Sequence, residues 1–164
     1  MKITTKQIVA VGIIAALYVA ITVGLGAISF GAVQLRIAIA LSLLVYFNPR
    51  LAPAIIIGNA IAGVFSPWGV INIIVGAVTP AIFTWLMTKC KSMLVASFMP
   101  TIFVPITIGW MIVWVSGMPI TFGSWASVAG PLAVSTFIVM TVVGYPLARL
   151  VQKNNWLMEK IKSI

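Results

Sequence analysis

Ile8-Val9-Ala10-Val11-Gly12-Ile13-Ile14-Ala15-Ala16-Leu17-Tyr18-Val19-Ala20-Ile21-Thr22-Val23-Gly24-Leu25 runs without a charge between Lys2 and Lys6 on one side and the loop Gly26 to Gln34 on the other. A helix needs about 20 apolar residues, at about 1.5 Å each, to cross a bilayer, and this run approaches that length. A secretory signal peptide opens in a similar way. Here no clear cleavage site follows and further apolar stretches do, so the run reads as helix 1. Working outward, those stretches are Leu35 to Phe47, Leu51 to Phe65, Val70 to Thr88, Met93 to Val115 and Gly123 to Leu150. They fill most of the 164 residues, of which 62% are hydrophobic and 7% charged, a balance that no soluble domain of this size can bury. The expected fold is an all-α membrane protein, a six-transmembrane-helix bundle forming a single domain over residues 1–164, with a short amphipathic tail over residues 150–164.

Asn48-Pro49-Arg50 separates the second and third helices, because proline disfavours helical backbone at the residue before it. Both helices are short of the spanning length, so one end of each should stop in the outer half of the bilayer and leave concave space there. Ser66-Pro67-Trp68-Gly69 forms the next turn, Lys89-Cys90-Lys91-Ser92 the one after it, and Ser116 to Phe122 the last. Pro80, Pro100 and Pro105 fall inside helices, where they are expected to produce kinks.

With six helices, both termini and the even-numbered turns share one side of the membrane. Lys2, Lys6, Arg50, Lys89, Lys91, Arg149, Lys153, Lys160 and Lys162 fall on that side and only Arg36 on the other. Cations concentrate in cytoplasmic loops, which places both termini in the cytoplasm. The tail carries Trp156, Leu157, Ile161 and Ile164 among lysines, the pattern of a short helix lying on an anionic leaflet. This basicity is a membrane-lipid signal and does not point to nucleic acid.

The inventory of reactive groups excludes most chemistry. Glu159 is the sole acid and histidine is absent, so the usual triads, acid–base pairs and metal ligand sets are missing. The lone Cys90 has no histidine or carboxylate to activate it as a nucleophile. There is no phosphate-binding Gly-x-x-x-x-Gly-Lys loop. The expectation is a protein that is not an enzyme, with no catalytic residue, metal or cofactor, whose energised work would be driven by a partner.

Arg36 stands where every other cation is excluded. Either it binds something, or it snorkels to lipid phosphate or satisfies backbone carbonyls of the outer loop. Gln34, two residues earlier, can donate and accept, as reading a heterocycle edge requires. Asn59 and Asn72 lie in otherwise apolar helices, where an amide either fastens helices together or meets a ligand; Asn72, within a turn of the outer loop, is the better ligand candidate. Trp68, Trp110, Trp114 and Trp125 fall near the outer face, with Trp110 and Trp114 one turn apart. They form either an aromatic belt at headgroup depth or a stacking surface for a planar ring. A small, mostly apolar cavity with a few convergent polar groups is the usual form of a small-molecule site. Gly12, Ala16, Ala20 and Gly24 make a small-residue stripe on helix 1, and Ala54, Gly58 and Ala62 another on helix 3. Such stripes admit a close helix neighbour, internal or external.

Gly31-Ala32-Val33-Gln34-Leu35-Arg36-Ile37, Phe47-Asn48-Pro49, Ser66-Pro67-Trp68-Gly69 and Gly144-Tyr145-Pro146-Leu147 occur in the order and spacing of the QueT family, which this chain resembles over residues 5–150. The resemblance implies an S component, the substrate-capturing subunit of an energy-coupling factor (ECF) importer, linked to uptake of queuosine precursors. It implies solute binding at the outer face, a membrane scaffold (T) subunit and two cytoplasmic ATPase subunits as partners, and a prokaryotic plasma membrane. Ala16 and Ala20 match the Ala-x-x-x-Ala pattern by which S components meet the scaffold, with Gly12 extending it.

Departures from the family pattern bear on the solute. Ile39 stands where the resemblance leads one to expect a glutamate, Asn72 where an aspartate is expected, and Thr136 where another glutamate is expected. An ammonium group in a low-dielectric pocket needs an anion or strong acceptors. The expected solute is therefore neutral or anionic, a planar heterocycle lacking an aminomethyl cation. It would be held by Gln34, Arg36, Asn72, Trp68, Trp110, Trp114, Trp125 and Thr136. The competing reading is a stand-alone sodium-coupled secondary transporter, since proton coupling normally needs an intramembrane carboxylate or imidazole. A purely structural subunit would show helix contacts and no ligand.

Overall fold

The structure is a computed structural model that describes residues 4–30 and 34–164. Lys2 of the charge tally and Gly31, Ala32 and Val33 of the first motif lie outside the described residues. Among the described residues every regular element is helical.

Helix α1, Thr5–Gly24, starts where the Thr4 side chain accepts a hydrogen bond from the Gln7 amide at 3.3 Å, and a single further turn, Gly26–Ser29, ends the segment. Helix α2 covers Ile37–Phe47 and α3 Pro49–Val64. Asn48 breaks the chain between them and its side chain accepts from the Arg50 amide at 3.0 Å, while Pro49, with no amide hydrogen to lose, occupies the first helical position. Helices α4, Val70–Met87, and α5, Met93–Val115, carry the prolines expected, and α6, Phe122–Lys153, adds Pro131. Asn154 then caps α7, Asn155–Lys162.

Among the described residues four helices, α1, α4, α5 and α6, are long and apolar enough to cross a membrane, whereas α2 and α3 are shorter. The boundaries correct the sequence reading: α1 starts at Thr5 instead of Ile8, α2 at Ile37 instead of Leu35, α3 at Pro49 instead of Leu51, and α6 runs on to Lys153. The later start of α2 follows from the backbone before it, since Gln34, at φ 43°, and Arg36, at φ −81° and ψ 86°, are not helical. Ile37–Ser42 is a 3-10 helix, whose rise of about 2.0 Å per residue stretches α2 to about 20 Å. That still falls short of an apolar layer of about 30 Å.

A π-helical segment, Ile138–Gly144, widens the middle of α6. Gly144 ends it, and a Cβ there would lie 3.2 Å from both Ala40 Cβ and Leu43 Cδ1, so only glycine lets α2 pack this closely. Tyr18, Leu43, Leu51, Ile55, Phe83 and Met140 anchor the main core, which spans α1 to α6, and Ile108, Met111, Ile112 and Leu132 form a smaller cluster between α5 and α6. Large side chains such as Ile8, Ile13, Val70, Ile74, Trp85 and Val142 point outward, as a lipid-facing surface requires.

The two small-residue stripes part company. On α3, a Cβ at Gly58 would lie 2.9 Å from Tyr18 Cβ and 3.1 Å from the Ala15 carbonyl oxygen, so this stripe is the seat of α1. On α1, Gly12, Ala16, Ala20 and Gly24 are all exposed, and nothing lies within 4 Å of a Cβ built at Gly12 or Gly24.

Candidate functional site

The polar groups converge at the end of the bundle where α2 begins. Gln34 is buried and takes a left-handed backbone conformation, φ 43°, an uncommon state for a residue with a side chain. Leu35 donates to the Ile28 carbonyl at 3.0 Å and Arg36 to the Gln34 carbonyl at 2.9 Å, which folds the segment tightly just before the 3-10 turn. The half-buried Arg36 side chain donates from Nη1 to Asn59 Oδ1 at 2.8 Å, and its guanidinium carbon lies 5.5 Å from the centre of the Phe30 ring. Among the described residues its Nε and Nη2 have no hydrogen-bond acceptor within reach, and the buried Tyr18 hydroxyl has no partner either.

Arg36, Gln34, Asn59, Thr79 and Thr136 line one cleft, closed by Ile39 and by apolar side chains of α5 and α6. Its volume is about 20 Å³, room for one water and not for a heterocycle. Thr79 donates to Thr107 at 2.8 Å and so ties α4 to α5 at the floor. Two of the three positions where a family carboxylate was expected, Ile39 and Thr136, thus face the arginine's cleft, and no carboxylate lines it.

Gln34 and Leu132 also border a second cavity of about 210 Å³, lined further by Trp68, Ser116, Met118 and Ser127. The Trp68 indole nitrogen is buried with no partner. Asn72 is 1% exposed and neither atom of its amide has a partner; it lies at the α3–α4 contact, where Gly63 lets the Asn72 carbonyl approach. Trp110 and Trp114 line a separate open groove of about 350 Å³ with Ile71, Val75 and Ile120, and Trp114 is 62% exposed. Trp125 stacks on Trp110 with ring centres 6.1 Å apart, seated over Gly109. The structure therefore brings Gln34, Arg36 and Thr136 together, sets Trp68 in the adjoining cavity, buries Asn72 nearby, and leaves Trp110, Trp114 and Trp125 apart from the cleft.

Sequence reasoning ranked Asn72 above Asn59 as a ligand candidate and named no partner for Arg36, which the structure gives as Asn59. The signal was present, because an amide inside a helix opposite an unpaired guanidinium is the natural partner. Phe30 carried none, since its approach to Arg36 depends on how the chain folds back before α2.

A cleft lined by Arg36, Gln34, Asn59, Thr79 and Thr136 thus lies within an all-helical bundle whose long apolar helices are those of a membrane protein. The sequence model of the QueT transporter family matches residues 8–153. Over 85 residues the chain is 38% identical to the queuosine precursor transporter QueT of Lactococcus lactis subsp. cremoris, an alignment that covers 50% of this chain and 49% of that protein. The chain thus spans about half the length of the curated relative it matches. No solved structure matches it. The chain belongs to the QueT transporter family, and membership of a transporter family implies a role other than catalysis.

Proposed function

We propose that this chain is the substrate-capturing S component of an ECF importer in a prokaryotic plasma membrane, spanning six times with both termini inside. Its solute is a queuosine-precursor-like planar heterocycle that is neutral or anionic. The observation that carries this reading is Arg36, whose guanidinium lines a cleft free of carboxylates with two nitrogens that meet no acceptor among the described residues. Buried donors without acceptors cost free energy that an acceptor-bearing solute would recover, and an arginine with no anion beside it repels a cationic one. Gln34 and Thr136 would read the solute's edge, and Asn59 holds the guanidinium in place. A cleft of 20 Å³ must open to admit a ring, and the cavity beyond Gln34 supplies the space. The exposed stripe at Gly12, Ala16 and Ala20 fits a scaffold helix of the T subunit, and two ATPase subunits would supply the energy.

Equilibrium binding to the purified chain tests the reading, using a nitrile-bearing deazapurine and its aminomethyl counterpart. The neutral compound should bind and the cationic one should not. Equal binding of both, or preference for the cation, would overturn the charge argument.

A further inference from the structure

We propose a second site at the opposite, cationic end of the bundle: a cleft between α2, α5 and α6 that seats the phosphate headgroup of an anionic phospholipid. Tyr46, Lys91, Ser92, Tyr145, Arg149 and Gln152 line a largely polar hollow of about 350 Å³, within the range of about 300–1,000 Å³ usual for small-ligand sites. No carboxylate lines it, and the chain's sole acid, Glu159, lies on α7. Two cations therefore face one hollow with nothing of opposite sign provided by the protein.

These groups are held in position. Arg149 donates from Nε to the Tyr145 hydroxyl at 2.9 Å and from Nη2 to the same oxygen at 2.5 Å, and its guanidinium carbon lies 5.1 Å from the centre of the Tyr145 ring. That clamp fixes the guanidinium plane and leaves Nη1 free to donate. The Tyr46 hydroxyl donates to the Lys91 carbonyl at 3.3 Å, which anchors the α4–α5 loop to the end of α2. A phosphodiester offers several acceptor oxygens in the geometry that a guanidinium and an ammonium can share.

A lipid is favoured over a free anion by what adjoins the cleft. Leu94, which lines the cleft, and Val95 after it on α5 are exposed apolar side chains, as are Ile138 and Val142, which precede Tyr145 on α6, and the Phe98 and Phe137 rings, 5.9 Å apart, join these two helices further along. Acyl chains attached to a phosphate in the cleft would lie on that wall.

Native mass spectrometry of the full chain in detergent, titrated with phosphatidylglycerol, phosphatidylcholine and inorganic phosphate, tests the site. Phosphatidylglycerol should bind at least about tenfold more tightly than phosphatidylcholine, and Lys91→Gln with Arg149→Gln should remove that preference. Lys160→Gln with Lys162→Gln, on α7, should keep it. An unchanged thermal midpoint in lipid-free detergent shows that each variant is folded. Equal binding of the two lipids, an equal loss in the tail variant, or displacement of the lipid by inorganic phosphate would each overturn the proposal. None of these readouts depends on the solute cleft.

Discussion

Gly58→Ala separates the two faces of α1. The added Cβ would stand 2.9 Å from Tyr18 Cβ and 3.1 Å from the Ala15 carbonyl oxygen, where non-bonded carbons settle at about 3.5–4.0 Å. Neither neighbour is the free end of a flexible side chain, so α1 and α3 must move apart by about 0.5–1 Å to relieve the overlap. Overpacking of this kind costs about 1–3 kcal/mol, offset by up to about 1 kcal/mol from replacing a mid-helix glycine with alanine. The net loss, up to about 2 kcal/mol, corresponds to a thermal midpoint lowered by up to about 8 °C for a chain of this length. Gly12→Ala, on the opposite face of the same helix pair, meets nothing within 4 Å, and it should leave the midpoint unchanged or raise it slightly. Thermal unfolding of both variants in detergent, followed by tryptophan fluorescence, makes the comparison. Asn59 is the next residue, so moving α3 also disturbs the 2.8 Å bond to Arg36, and solute affinity should fall with the midpoint. If Gly58→Ala proves as stable as Gly12→Ala, the close seating of α1 on α3 is wrong.

Arg36→Gln should weaken binding of a neutral or anionic solute by roughly 10–100-fold, the size of a charge-assisted hydrogen bond, while an isothermal titration of the folded variant shows the aminomethyl-bearing cation bound more tightly than by the unaltered chain, because a like charge has been removed. Ile39→Glu, which places a carboxylate on the arginine's cleft, should instead reverse the preference toward an aminomethyl-bearing solute in the same titration. Asn72→Leu removes two buried amide atoms that have no partners, so the thermal midpoint should hold or rise; a solute affinity reduced about tenfold alongside it would place Asn72 at the ligand. Ala16→Leu with Ala20→Leu alters only exposed positions, so the isolated chain should keep its midpoint and its solute, while co-purification with a co-expressed T subunit is lost.

Periodicity and composition alone made the chain a helical membrane protein, because an uncharged run the length of Ile8 to Leu25 has few other solutions. Asn48-Pro49 and Ser66 to Gly69 marked true breaks, since proline and glycine restrict or free the backbone locally, whatever the tertiary context. The isolation of Arg36 was equally legible, as a charge is a property of one residue. The 3-10 start of α2 and the π segment of α6 were not legible. Both arise where helices must fit against each other, as at Gly144 beside Ala40 and Leu43, and sequence spacing carries no record of that fit.

Tertiary structure alone chose among the options left open by single residues. Whether a small-residue stripe faces inward or outward depends on which side chain meets it: Gly58 touches Tyr18, and Gly12 touches nothing. The partner of Arg36 was decided in the same way, because Asn59 and Asn72 are chemically identical and only the approach of α3 brings Asn59 within 2.8 Å. Sequence sets the inventory of groups that need partners, and packing alone decides which of them find one inside the protein and which are left facing a cleft.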